Sequence, residues 1–251
     1  MDDSFYFKFV PPTEVLSDFV ESIGTFYNRS EEAKEVVLVP DGRIDLFFSR
    51  HGSEPWQVTL IGLETAPKQR AVPPQTLVFV ISFRPLAVEY ILQESIAPLL
   101  NSAKDLPDDF LNFHASDFAD FDMFYSVASE KIKALLPMEI DERKRNLFRS
   151  IYSSNGEMSV KGLSEKTFWS SRQINRYFND WLGLSLKAYC TILRFRISLE
   201  HIAEGKLFPE LNFSDQTHFI KEIKKFSGVA PGELSKNKND RFILLSVLRQ
   251  K

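Results

Sequence analysis

The stretch Ser170–Gly183, SSRQINRYFNDWLG, decides the fold of the C-terminal part, because it recurs 45 residues later as Asp215–Gly228, DQTHFIKEIKKFSG. Ile174, Phe178, Trp181 and Gly183 align with Phe219, Ile223, Phe226 and Gly228, and Tyr189 beyond the first copy aligns with Leu234. In each copy the three apolar residues fall at i, i+4 and i+7, one stripe of a helix that must face a core. Ser170 and Asp215 are residues that cap helix N-termini. Each copy ends in a glycine, which supplies the left-handed backbone that stops a helix. Two such copies are one supersecondary unit used twice.

The face opposite the stripe follows from the same spacing. In the first copy it presents Arg172, Asn175, Arg176 and Asn179, and in the second Thr217, Ile220, Lys221 and Lys224. Arginine can bond O6 and N7 of guanine, and asparagine or glutamine can pair with adenine. Any amphipathic helix has a polar outer face, but two copies of this one in a basic region favour base reading.

Working outward, the neighbouring segments also read as helices. Expected helices are Asp141–Ser153, Val160–Lys166 after a Ser159 cap, and Leu186–Glu204 between Ser185 and Gly205. A short segment, Leu207–Leu211, precedes the second copy and is interrupted by Pro209. Upstream, Asp117–Leu136 carries Phe118, Phe121, Tyr125, Ala128, Ile132 and Leu135 at helical spacing and ends at Pro137. It reads as a strut packed on its own domain in preference to a dimer contact. The tail Phe242–Leu248 is apolar again and has no assigned place.

The first ~110 residues are β-rich. Val36–Val39, Ile44–Phe48, Gln57–Ile61 and Leu77–Phe83 are β-branched and aromatic runs, punctuated by Pro40-Asp41-Gly42, His51-Gly52 and Pro73-Pro74. A short helix is expected after Pro85. The fold class is thus α+β: a small β-rich barrel or sandwich with helical additions, then an all-α region. The expected division is 1–115, a linker helix over 116–139, the helical domain over 140–236, and a tail over 237–251.

Charge separates the two parts. Residues 1–139 carry 11 basic and 22 acidic side chains, net −11, whereas 140–251 carry 20 and 12, net +8. A basic region on an acidic body is what a domain that meets a polyanion shows, nucleic acid or an anionic membrane surface alike. No stretch approaches the ~20 apolar residues that span a membrane, so no membrane partner is expected. The first residues, MDDSFYFKFVPP, lack a positive region followed by an apolar run, so no signal peptide is expected. The single cysteine, Cys190, rules out a disulfide within the chain and fits a reducing cytoplasm.

At this point the residues resemble a known family. SSRQINRYFNDWLGLSLKAYCTILRFRISLEHI, followed by NFSDQTHFIKEIKKFSGVAPGEL, is similar to the DNA-binding domain of the AraC/XylS transcription regulators over roughly residues 145–235. The most specific part is Asn212–Pro231, and Leu193-Arg194-Phe195 in the connecting helix also fits. The resemblance implies two helix-turn-helix units joined by the helix 186–204 and docked on double-stranded DNA. It implies base reading by Arg172, Gln173, Asn175 and Arg176 in the first unit, and by Gln216, Thr217 and Lys221 in the second. Ser171, Lys187, Arg194, Lys224 and Lys225 would hold phosphates. It also implies a cupin-like N-terminal sensing or dimerisation domain that could take a small effector, a homodimer, and contact with RNA polymerase. PDGRIDLFF, LIGLETAP and ISFRPLAVEYIL are similar to the sensor domain of one branch. One departure stands out: only Lys206–Asn212 is available for a helix before the second reading helix. Asn212 stands where a glycine is common, and asparagine tolerates the left-handed backbone of a turn.

Other chemistry is poorly supported. His51 and His114 lie far apart without a ligand motif, so no metal is expected. Arg43, Asp45 and Arg84 lie beside strands and could line an effector pocket, although a solvated strand edge is the commoner arrangement. Cys190 sits where an apolar residue is expected and reads as a buried structural thiol, not a nucleophile. There is no glycine-rich phosphate loop and no nucleophile elbow, so neither enzyme activity nor a cofactor is expected.

Overall fold

A computed structural model describes residues 4–211 and 213–249. Asn212, the asparagine at the expected turn, lies outside the described residues. An N-terminal β-rich region with helical insertions is followed by an all-α region, consistent with two tandem helical units. The contacts divide the chain into two compact units, and the division is not a single cut. One unit holds residues 1–34, 43–62 and 71–140. The other holds 35–42, 63–70 and 141–251.

The first unit is built on a six-stranded sheet. Its strands are β1 (Phe5–Val10), β2 (Val20–Asn28), β4 (Ile44–His51), β5 (Gln57–Ile61), β7 (Thr76–Phe83) and β8 (Ala103–Leu106). The order is β1-β2-β7-β4-β5-β8, with every pairing antiparallel. The edge strand β8, AKDL, is short, exposed and charged, which discourages pairing with another chain. Phe9 lies opposite Gly24, and a Cβ at Gly24 would fall 2.2 Å from the Phe9 ring, so only glycine lets that ring lie flat on the sheet.

Alternation sends Phe48 and Phe79, paired in register, to one face. Helix α1 (Phe121–Ala134) starts at Asp120, whose carboxylate accepts from the Met123 amide, and buries Phe124, Ala128 and Ile132. Phe124 meets Phe79 at 4.8 Å and Phe48 at 5.8 Å between ring centroids, with Phe113 and Phe118 completing the cluster. The expected helix over 117–136 therefore divides into a 3-10 turn at Ala115–Phe118 and α1, both grouped with this unit. The short helix expected after Pro85 is a single π turn, Val88–Leu92.

The second unit holds helices α2 (Glu142–Ser153), α3 (Val160–Thr167), α4 (Ser171–Leu182), α5 (Leu186–Ala203), α6 (Gln216–Ser227), α7 (Pro231–Leu234) and α8 (Ile243–Leu248). The caps expected from sequence are in place. Ser159, Ser170, Ser185 and Asp215 each accept from an amide three residues on. Gly183 and Gly228 take φ of 76° and 80°. The Leu207–Leu211 segment, which the sequence leaves room for only as a single turn or an irregular stretch, is irregular: among the described residues of 206–215 there is no helix. Pro209 has no amide to donate, and it drives the residue before it out of helical backbone.

Two pieces of the front half belong to this unit. The two-stranded sheet of β3 (Lys34–Leu38) and β6 (Lys68–Val72) lies mostly within 35–42 and 63–70. The Val37 amide donates to the Arg241 carbonyl at 2.6 Å. The buried Tyr189 hydroxyl, on α5, donates to the Gly42 carbonyl at 3.2 Å, which leaves the Tyr152 hydroxyl, 2.9 Å away, as its donor. Burial and the neighbouring Tyr152 push the Tyr189 phenol well above its ordinary pKa.

The tail is part of the same core, with α8 packed on α5. Asn237, 4% exposed, donates to the Ser246 hydroxyl at 2.7 Å and the Phe242 carbonyl at 3.2 Å, and accepts from the Phe242 amide at 2.9 Å. Replacing Asn237 with alanine strands buried polar groups, and a loss of about 1–3 kcal/mol in urea unfolding is expected. An unchanged midpoint would mean that the tail is not held by this side chain.

Candidate nucleic-acid interface

The first reading head is assembled by local rules. Helix α3 ends at Thr167, three residues make the turn, and α4 begins at Ser171. Ile174, Phe178 and Leu182 are completely buried and Tyr177 nearly so, while Trp181 of the expected stripe is half-buried. Phe178 packs against Phe148 at 5.7 Å and Tyr189 at 5.5 Å between centroids. With that stripe fixed inward, Arg172, Arg176 and Asn179 are exposed and Asn175 is half-buried. Among the described residues no hydrogen bond or ion pair engages the guanidinium of Arg172 or Arg176, so both forks stand open to a ligand.

Two of the expected readers are already engaged. The Gln173 carbonyl oxygen accepts from the Ser170 amide at 3.0 Å and from its hydroxyl at 2.7 Å, completing a capping box. The Asn175 amide group donates to the Ser171 carbonyl at 3.0 Å, one turn back. Both shape the start of α4 as well as facing outward. Ser171 itself is half-buried.

The second copy keeps its helix, with no helix at the described residues of 206–215 before it. Phe219, Ile223 and Phe226 are buried, with Phe226 against Phe195 of α5 at 5.2 Å and Phe219 against Phe213 at 5.2 Å. Thr217, Ile220, Lys221, Lys224 and Lys225 are exposed. Gln216 is half-buried and donates to the Leu207 carbonyl at 3.2 Å, tying the irregular segment to the first turn of α6.

Of the remaining phosphate candidates, Lys187 is exposed at the start of α5. Arg194 is half-buried and donates to the Thr191 hydroxyl at 3.3 Å. Cys190 is buried and its thiol is pushed up to about 11 by desolvation, which keeps it protonated at neutral pH.

In the first unit, Arg43, Asp45 and Arg84 are half-buried at one end of the β4–β7 pair, where Asp45 lies opposite Ser82 and Ile44 opposite Phe83. Arg84 pairs with Glu21 at 2.7 Å, a partner that sequence reasoning missed because β2 carries no turn signal pointing to it. Among the described residues no three His, Cys, Asp or Glu side chains gather as metal ligands would. No described helix is long and apolar enough to cross a membrane.

Comparison with known proteins adds little to this geometry. A family model described as a domain of unknown function, DUF6597, matches residues 8–105. No curated protein matches the sequence. Among solved structures, ToxT from Vibrio cholerae bound to (E)-4-(8-methylnaphthalen-1-yl)but-3-enoic acid is 11% identical, with a TM-score of 0.49 over 97% of this chain and 100% of that one. Unsaturated-fatty-acid-bound ToxT from Vibrio cholerae is 12% identical, with a TM-score of 0.46 over 93% of this chain and 95% of that one.

Proposed function

We propose that the protein is a sequence-specific DNA-binding transcription regulator whose basic helical unit reads double-stranded DNA. The observation that carries this is the outer face of α4: two guanidinium groups without partners among the described residues, flanked by Asn175 and Asn179, over buried Ile174, Phe178 and Leu182. The reading assigns base contacts to Arg172, Asn175 and Arg176, with Gln173, and to Gln216, Thr217 and Lys221. Phosphates go to Ser171, Lys187, Arg194, Lys224 and Lys225. Because Gln216 braces the segment before α6, the second head contributes chiefly through Thr217 and the lysines. The β-rich unit is assigned a sensing role for a small effector. Homodimer formation and RNA polymerase contact follow only from the family resemblance.

Selection of bound sequences from random DNA by the full-length protein tests the reading. A defined motif is the expected result. Affinity for it should also fall steeply from low to moderate salt, since each neutralised phosphate contributes about −0.9 to the log–log slope. A second reading, in which the helical unit meets a protein partner, is favoured by the missing helix before α6. A flat salt response with no DNA retained would support it and refute DNA binding.

A further inference from the structure

Phe168 is one of the large apolar residues that the fold leaves in water. It forms the turn between α3 and α4, and it is 91% exposed. Its backbone is left-handed, with φ 54° and ψ 32°, at the position that closes α3. A bulky side chain is rare there, because its Cβ crowds the following carbonyl, and glycine is the residue that fits. The chain therefore bears both a strained backbone and an aromatic ring in water at one position. Among the described residues the ring enters no aromatic or cation contact, whereas its neighbour Trp169 meets Tyr177 at 5.4 Å between centroids. An outlier of this kind points to function.

Its place in the sequence limits what the ring meets. It stands two residues before Ser170, the cap of α4, so its backbone lies within about 7 Å of that cap. Lys166 and Arg172, both exposed, flank it along the chain. A duplex brought to the N-terminal end of α4 by Arg172, four residues on, comes near the turn that carries the ring. Phenylalanine has no hydrogen-bonding group. The apolar feature on a base edge in the major groove is the C5-methyl group of thymine.

We infer that Phe168 is a specificity residue that packs on a thymine methyl beside the bases read by α4. The inference rests on the DNA-binding reading and deepens it. The test uses the full-length protein and the motif obtained by selection. Each thymidine is replaced singly by deoxyuridine, which removes one methyl group and leaves the hydrogen-bonding edges intact. Wild-type protein should lose about fourfold in affinity at one such position, the factor for one buried methyl-sized group. Phe168→Gly and Phe168→Ala should bind the parent motif more weakly by a similar factor and be indifferent to deoxyuridine there. Their affinity for random DNA should be unchanged. Phe168→Gly should melt no lower than wild type, which separates lost contact from lost fold. The inference is overturned if both variants keep the wild-type deoxyuridine profile, as they would if the ring served a protein partner, or if no thymine methyl matters to the wild type. A wild-type protein that selects no motif at all refutes DNA reading itself, a result distinct from either.

Discussion

Alanine in place of Arg176 should weaken binding to the preferred DNA site by about 1–3 kcal/mol while leaving binding to random DNA nearly unchanged. The size follows from geometry and chemistry together. Arg176 lies one turn into α4 on the exposed face, between Asn175 and Asn179, and no carboxylate among the described residues holds its guanidinium. A bidentate contact to guanine is therefore made without first breaking an internal ion pair. Removing it should relax preference at one base pair, which a competition series over the four bases would show. Equal losses on specific and random DNA would instead place Arg176 on a phosphate. Lys221, its counterpart on α6, provides the contrast. A lysine acts as a point charge with no fixed fork, so Lys221→Ala should relax preference at its base pair by less than Arg176→Ala does.

The largest stability effect is expected in the other unit. Phe124→Ala should cost about 3–5 kcal/mol, read from chemical denaturation with tryptophan or far-ultraviolet signals. Phe124 is fully buried, and its ring joins those of Phe48, Phe79, Phe113 and Phe118. It is also the residue through which α1 is seated on the sheet, so deletion leaves a void bounded by rigid rings that relax poorly. A loss below about 1.5 kcal/mol, the range of a well-tolerated core change, would contradict that packing.

The helical unit was legible because its signals are local. Ser170, Ser185, Gly183 and Gly228 act on backbone within a few residues, and a cap needs no distant partner to be recognised. The strands Ile44–His51 and Thr76–Phe83 were visible for a related reason, since both are central and apolar. Strands Lys68–Val72 and Ala103–Leu106 were not. Their sequences, KQRAV and AKDL, are largely polar, and they are strands by virtue of the neighbours they pair with. The site was legible to the same degree. Periodicity identified which residues of α4 face outward. The Ser170-x-x-Gln173 spacing is the signature of a capping box, which engages the Gln173 oxygen. Periodicity could not reveal that Gln216 is spent on the Leu207 carbonyl, because that depends on atoms and not on spacing. Phe168 escaped notice for a different reason: a residue's need for left-handed backbone shows in sequence only when glycine supplies it.

The assignment of residues 35–42 and 63–70 to the helical unit bears on how such a protein can be recombined. The polypeptide crosses from one unit to the other at five points, so no single junction separates the two. A gene fusion that transplants residues 141–251 onto another front half would leave behind the carbonyl that Tyr189 bonds and the strand whose amide meets Arg241. A graft that keeps those bonds has to carry both inserted stretches with it, which makes the helical unit poorly suited to exchange as a cassette.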